Sequence, residues 1–345
     1  MQIKIPRNDL NHFKDKAVNI ETNTTIPILS YIKFEISGIT SKIIKNNLKE
    51  FVIGSFPESG NNECSYLVLE NTLFEFLEHS DSKFLQFELG MNKIKIFDNS
   101  NSVESPTERA QDFIDPDFIP ITWTKISRDT LESIGIASKF IFSNEIEGEK
   151  SKVFVKNGYV AGTDGIIGFY AEMIDNVPDL VFQKNIAGII SKLKYCEYST
   201  NKNYDYFRED LITFGFPRTE FSFINFTPLF GEIKSDFSFH IHKKSLITFC
   251  DLCANVVDSK KVFFPAIFYS EDGSLMLTME GSDKKIKNNL PLNGHVKRFK
   301  FNPERMKVLL KALPSETVYF YPGENRYFVT DARKSFLSVI MGFKL

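Results

Sequence analysis

Four residues in the last third of the chain have types and spacing that could hold a metal ion. His240 and His242 alternate within FHIH, so a strand there would point both rings to one face. Cys250 and Cys253 follow as a Cys-x-x-Cys pair, a spacing familiar from zinc sites. A packing role competes with this reading. Both cysteines fall inside the helical run SLITFCDLCANVV, on its apolar side, whereas zinc-binding pairs of this kind sit in tight turns. Inside a helix they would be small core residues with reduced thiols. The core reading is the better one, so no metal and no cofactor is expected.

Two further segments hold candidate binding residues. In AGTDGIIGFY, Thr163-Asp164-Gly165 reads as a tight turn between a strand ending at Ala161 and one starting near Ile166. The chain closes on SFLSVIMGFKL, an apolar strand that is either plain core or a docking edge exposing Met341 and Phe343. No Walker A loop, GxGxxG, HExxH or GxSxG is present, and nothing nominates a nucleophile. A non-catalytic protein is expected.

The elements that must position these residues come from a repeat. An apolar residue ends a strand-like run, four mostly polar residues follow, and a second apolar residue opens a helix-like run. This occurs at Ile5…Leu10, Ile126…Leu131 and Ile241…Leu246, with starts 121 and 115 residues apart. A similar pattern follows each one, at Val68…Leu73, Val181…Ile186 and Phe301…Met306. Three domains of two strand–helix units each are therefore expected, at 1–121, 122–235 and 236–345. Helices are expected at 7–20, 71–80, 128–142, 184–195, 243–257 and 303–313. Ser127 and Asn302-Pro303-Glu304 supply start signals for two of them. Asp272-Gly273 marks a two-residue hairpin turn. Residues 99–121 and 225–236 read as connectors at the repeat boundaries. Many of the 35 phenylalanines alternate with polar residues, the mark of half-buried strands. The fold class is α+β, with short helices on antiparallel sheets.

A net charge of −2 argues against a simple basic nucleic-acid binder but leaves room for one positive face. Helix 184–195 carries Lys184, Lys192 and Lys194 without an acid, and 303–313 carries Arg305, Lys307 and Lys311 against Glu304. Helix 71–80 is acidic, with Glu75 and Glu78. A repeat would place such helices on one surface, where modest positive charge follows phosphates without reading bases. No apolar run reaches the ~18 residues of a membrane span, and the N-terminus has no signal-like core. The four cysteines suit a reducing cytoplasm, the expected location.

With these residues in view, the chain resembles the bacterial DNA sliding clamp, the beta subunit of the replicative DNA polymerase III. The likeness spans the whole chain. It rests on the first strand–helix followed by TIPILSYIKFEI (25–36), the threefold repeat, the Thr163-Asp164-Gly165 segment and the final strand ending in MGFKL.

The resemblance implies a DNA-clamp fold and a head-to-tail homodimer closed into a ring around double-stranded DNA, without sequence preference. It implies as partners the replicative polymerase, the clamp loader and other proteins carrying a clamp-binding motif, docked in a groove between the second and third domains. Carried over by position, that groove would be lined by Ile146, Thr163, Gly165, Ile166, Ile167, Gly168, Pro228, Ile233, Val339, Met341, Gly342 and Phe343. DNA-facing helices would present Arg7, Lys14, Lys184, Lys192, Lys194, Lys243, Lys244, Arg305 and Lys307. Val256 and Val257 would lie at the dimer interface. The chain departs from the family where Ile166-Ile167-Gly168 replaces His-Arg-Leu and where Met341-Gly342-Phe343-Lys344-Leu345 replaces Met-Pro-Met-Arg-Leu. These departures keep open a second reading, a diverged clamp paralogue acting as an adaptor without ring closure.

Overall fold

A computed structural model describes residues 2–23, 25–37, 40–57, 63–118, 122–173, 175, 177–219, 239–254, 264–280 and 285–343. Pro228, Ile233, Val256 and Val257 lie outside them, as does all of the expected connector 225–236.

Helices stand at all six expected positions: α1 (Arg7–Ala17), α2 (Glu70–His79), α3 (Arg128–Ala137), α4 (Lys184–Ile190), α5 (Lys243–Ala254) and α6 (Pro303–Ala312). Each buries a stripe of spaced apolar residues, such as Leu10, Phe13 and Ala17 in α1 and Met306, Leu309 and Leu310 in α6. Ser127 caps α3 by accepting the Thr130 N–H, and Asn302 caps α6 by accepting that of Arg305. Several helices stop short of the apolar pattern. After α3 the pattern continues through a 3₁₀ turn, Ser138–Phe140, which still buries Phe140.

The chain divides into two compact units, residues 1–125 with 194–218, and residues 126–193 with 219–345. The first unit holds a four-stranded sheet in the order Gln2–Pro6, Phe84–Leu89, Lys93–Phe97, Ser102–Pro106. It also holds an eight-stranded sheet ordered Cys64–Leu69, Tyr31–Ser37, Thr40–Asn46, Phe51–Pro57, Ile212–Pro217, Tyr204–Glu209, Cys196–Thr200, Thr124–Ile126. The second unit holds a nine-stranded sheet. It runs Leu180–Gln183, Lys152–Lys156, Tyr159–Thr163, Ile167–Glu172, Leu337–Met341, Arg326–Thr330, Thr317–Pro322, Phe239–His242, Asn293–Gly294. A four-stranded sheet follows the order Lys285–Pro291, Ser274–Glu280, Ala266–Glu271, Phe299–Phe301. In both large sheets strands of successive repeats pair antiparallel: Phe51–Pro57 with Ile212–Pro217, and Ile167–Glu172 with Leu337–Met341. The middle repeat is thereby shared between the units. The expected Asp272-Gly273 hairpin is present, with both residues at positive φ.

Residues 99–121 are more than a connector. Ser102–Pro106 is the edge strand of the first sheet, and the segment beyond it packs across the eight-stranded sheet. Phe113 is buried in the cluster formed by Tyr31, Phe51, Leu67 and Tyr206, with Phe118 and Trp123 against it. The Tyr206 hydroxyl donates to the Asp117 carbonyl (2.8 Å), the Asn46 amide to the Ile114 carbonyl (2.8 Å), and Lys33 pairs with Asp115 at 2.6 Å. Polar composition and proline suggested a free linker. Buried Phe113, with half-buried Phe118 beside it, is what holds it down.

One buried charge ties the first unit together. Lys45 Nζ donates to the Ala17 carbonyl at the end of α1, to the Ile20 carbonyl past it and to Glu70 at the start of α2 (2.6 Å). The second Glu70 oxygen accepts from the Thr22 hydroxyl. Every polar atom of this pair has a partner, the condition under which a buried ion pair is tolerated.

Candidate functional site

The Thr163-Asp164-Gly165 turn joins two strands of the nine-stranded sheet. Tyr159–Thr163 pairs with Ile167–Glu172, so the turn is shorter than the sequence pattern suggested. Gly165 sits at φ +88°, where a Cβ would be strained, and its Cα faces the Lys150 side chain. Asp164 is buried beneath the turn. Its Oδ1 accepts the N–H groups of Ile166 and Ile167, both at 2.8 Å. The Thr163 hydroxyl donates to the Ile167 carbonyl and accepts the Gly165 N–H. The turn is thus built from its own side chains.

The expected docking strand lies beside it. Ile167 pairs with Ile340 and Gly168 with Val339, and the Met341 N–H donates to the Ile166 carbonyl at 2.8 Å. Strand alternation sends Ile167 and Ile340 into the core, while Val339 and Met341 share the opposite face with Leu337, Tyr321 and Phe328. Gly168 keeps that face low, since a Cβ there would meet Val339 at 3.0 Å. Ile166 is half-buried at the rim. Ile146, in the 3₁₀ segment Glu145–Ser151, is 88% exposed. Of the twelve expected groove residues, Thr163, Gly165, Ile166, Gly168, Val339 and Met341 therefore gather at one seam. Ile167 is a core residue instead.

Gly342 and Phe343 leave that seam for a neighbouring cleft. Gly342 N–H donates to the Asn325 carbonyl and Phe343 N–H to the Lys300 carbonyl. A cleft of about 410 Å³ opens there, lined among others by the aromatics Phe299 and Tyr327, the cations Lys297, Arg298 and Lys300, and the acid Glu324. Phe343 is 40% exposed at its edge. The repeat pattern carried no sign of this cleft, because its lining comes from three separate stretches of the last repeat, 297–300, 322–327 and 342–343.

The expected DNA-facing cations are mostly engaged within the chain. Arg7 donates to the Leu77 carbonyl (3.2 Å) and Lys243 to that of Leu313 (2.8 Å); Arg128, outside the expected set, likewise donates to that of Leu193 (2.5 Å). In each repeat the first residue of the first helix thus bonds a carbonyl in the last turn of the second helix or just beyond it. Lys14 pairs with Glu78, and Lys307 with Asp251. Lys184 donates to the Ile141 carbonyl, and burial together with the nearby Arg305 guanidinium holds its pKa below the ordinary lysine value, Asp164 pulling the other way. Lys192, Lys194 and Lys244 are exposed, and no side-chain bond engages them among the described residues.

The His/Cys cluster does not converge. Cys250 and Cys253 are buried in α5, where burial pushes both thiols up, that of Cys253 to about 12. Phe239 and Ile241 turn into the core, while His240 stacks on Tyr319 and His242 lies 3.5 Å from Glu316. Among the described residues no three His, Cys, Asp or Glu side chains are grouped as a metal site, and no helix is long and apolar enough to cross a membrane.

Solved structures decide what this arrangement is. The chain superposes over its full length on DNA polymerase III beta subunits. With the Pseudomonas aeruginosa sliding clamp bound to griselimycin the TM-score is 0.87 at 14% identity, with 100% of each chain covered. With the Streptococcus pyogenes beta subunit it is 0.84 at 15%, again with 100% of each covered. With that of Thermotoga maritima it is 0.83 at 13%, covering 100% of this chain and 99% of the other. The chain has the sliding-clamp fold. No protein-family model and no curated protein sequence matches it. At this identity the clamp fold persists because it rests on the spacing of apolar positions and on strand order, and those are the features this sequence repeats.

Proposed function

We propose that the chain is a non-catalytic DNA sliding clamp, built of three domains at 1–121, 122–235 and 236–345. The observation that carries this reading is the way its repeats join. Twice within the chain, the last strand of one repeat's second sheet pairs with the last strand of the next repeat's first sheet. The third such pair would join Lys285–Pro291 to Ser102–Pro106. These are the outer strands of the two four-stranded sheets, on opposite ends of the repeat series. A second copy supplies the missing partner at each end, and two copies closed head to tail pair both of these edges. Residues 256–257 would lie near one of these contacts.

Such a ring holds double-stranded DNA by topology, so its inner contacts must be weak and blind to sequence. Internal engagement of Arg7, Lys14, Lys184, Lys243 and Lys307 fits that demand, leaving Lys192, Lys194 and Lys244 as the phosphate-facing set. Polymerase, clamp loader and other motif-bearing proteins dock as short peptides on the seam of Thr163, Ile166, Val339 and Met341, with Ile146 and Phe343 at its ends. A cytoplasmic location follows from that role.

Loading onto nicked circular DNA by the cognate clamp loader tests the proposal. The clamp should stay on the circle through gel filtration at high salt and leave once the circle is cut. Equal loss from circular and linear DNA would contradict it. It would favour the adaptor reading, to which the departures at 166–168 and 342–343 point.

A further inference from the structure

Arg305 was expected to face DNA, yet its guanidinium is directed at the docking turn. It lies 3.1 Å from Asp164 Oδ2. That oxygen is buried and receives no aligned hydrogen bond, so the guanidinium offsets its charge as an ion pair without a bond. A buried carboxylate with no compensating cation is strongly unfavourable. Lys184 is close by, but its ammonium already donates to the Ile141 carbonyl. The guanidinium also lies over the Phe142 ring, 5.5 Å from its centre. Phe142 in turn donates its N–H to the Lys150 carbonyl, at the far side of the segment that carries Ile146. One side chain from α6 therefore reaches both the 163–168 turn and, through Phe142, the segment that carries Ile146. Asn302 fixes the start of α6 by accepting the Arg305 N–H.

We propose that Arg305 is a positioning residue for the docking groove, holding the 163–168 turn through Asp164 and the 142–150 segment through Phe142. This inference rests on the docking reading above. Arg305 sets the shape that a peptide meets without being one of its contacts. Asp164 is what it acts through: the carboxylate organises the Ile166 and Ile167 N–H groups only while its second oxygen is compensated.

Amide hydrogen exchange tests this without any ligand. Arg305→Ala should speed exchange at Ile166 and Ile167 by about ten-fold or more, the scale of losing one charged interaction. Val153–Val155, inside the same sheet, should not change. Arg305→Lys should restore most of the protection. In an Asp164→Asn background, where the amide oxygen still accepts both N–H groups but no charge needs offsetting, Arg305→Ala should change exchange by less than about two-fold. Unchanged exchange in Arg305→Ala, or an equal effect in both backgrounds, would overturn the proposal. A second readout is the affinity for a synthetic peptide copied from the clamp-binding segment of the replicative polymerase of the same genome. It should fall about ten-fold in Arg305→Ala and recover in Arg305→Lys. A loosened turn with unchanged affinity would overturn the link to docking. Failure of the docking reading itself would show differently, as no binding by the unsubstituted protein.

Discussion

Lys45 sits in a strand whose sequence, TSKIIKN, gives no hint that one lysine is interior and the other exposed. Lys42 is exposed and Lys45 is buried, with its ammonium on two carbonyls and Glu70. Its partners lie 25 or more residues away in sequence, which is why periodicity could not expose it. Lys45→Ala leaves Glu70 buried and uncompensated and should cost about 3–5 kcal/mol, read by urea denaturation. Asp175 is the residue whose effect depends on pH. It accepts the Ser127 N–H (2.8 Å) and the Thr130 hydroxyl (2.7 Å) at the start of α3. Burial raises its pKa, but the hydrogen bonds from Ser127 and Thr130 outweigh that and hold it below the usual carboxylate value. A lowered folded-state pKa stabilises the protein above the unfolded value, near 3.8, and that contribution is lost as the pH falls through the folded value. Asp175→Ala should therefore destabilise by about 1 kcal/mol at pH 7. The gap between the two proteins should narrow progressively as melts are taken from pH 7 to pH values below 3.8.

At the scale of elements, the helix starts were legible to within a residue, because the strand-ending and helix-opening apolar residues mark them. The ends were not. At α3 the apolar spacing runs on into a 3₁₀ turn that buries residues without continuing the helix. The seam was legible in part. The Thr163-Asp164-Gly165 turn and the last strand stood out in sequence, but Ile167 was placed on the wrong face and Arg305 at the wrong partner. Strand parity decides the first and a contact across some 140 residues of chain the second. The cations show the same limit. Arg7 and Lys243, at helix starts, were expected to face DNA, whereas each bonds a carbonyl near the end of a neighbouring helix, as Arg128 does. Charge reversal at Lys192, Lys194 and Lys244 together should lower retention on DNA by about ten-fold or more at moderate salt and leave the dimer intact. Lys184→Glu would instead disturb the Ile141 contact and lower the melting temperature. Met341→Ala with Phe343→Ala should abolish binding of a polymerase-derived peptide, as titrated by fluorescence anisotropy, without changing oligomeric state.

For the whole molecule, the repeat is both the clearest feature of the sequence and the basis of the proposed assembly. Two of the three equivalent strand junctions are present within the chain. The strands that would make the third, Ser102–Pro106 and Lys285–Pro291, each have a neighbour on one side only. An unpaired edge leaves a row of backbone donors and acceptors ready for another strand, and a head-to-tail dimer satisfies both edges at once. This claim fails or stands on mass in solution, since association must depend on concentration. The most direct test is light scattering across a dilution series. A stable species of twice the chain's 39.7 kDa, persisting to nanomolar protein and dissociating when Ser102–Pro106 is interrupted by Glu104→Pro, is the predicted result. A monomer at every concentration would contradict ring closure by these strands.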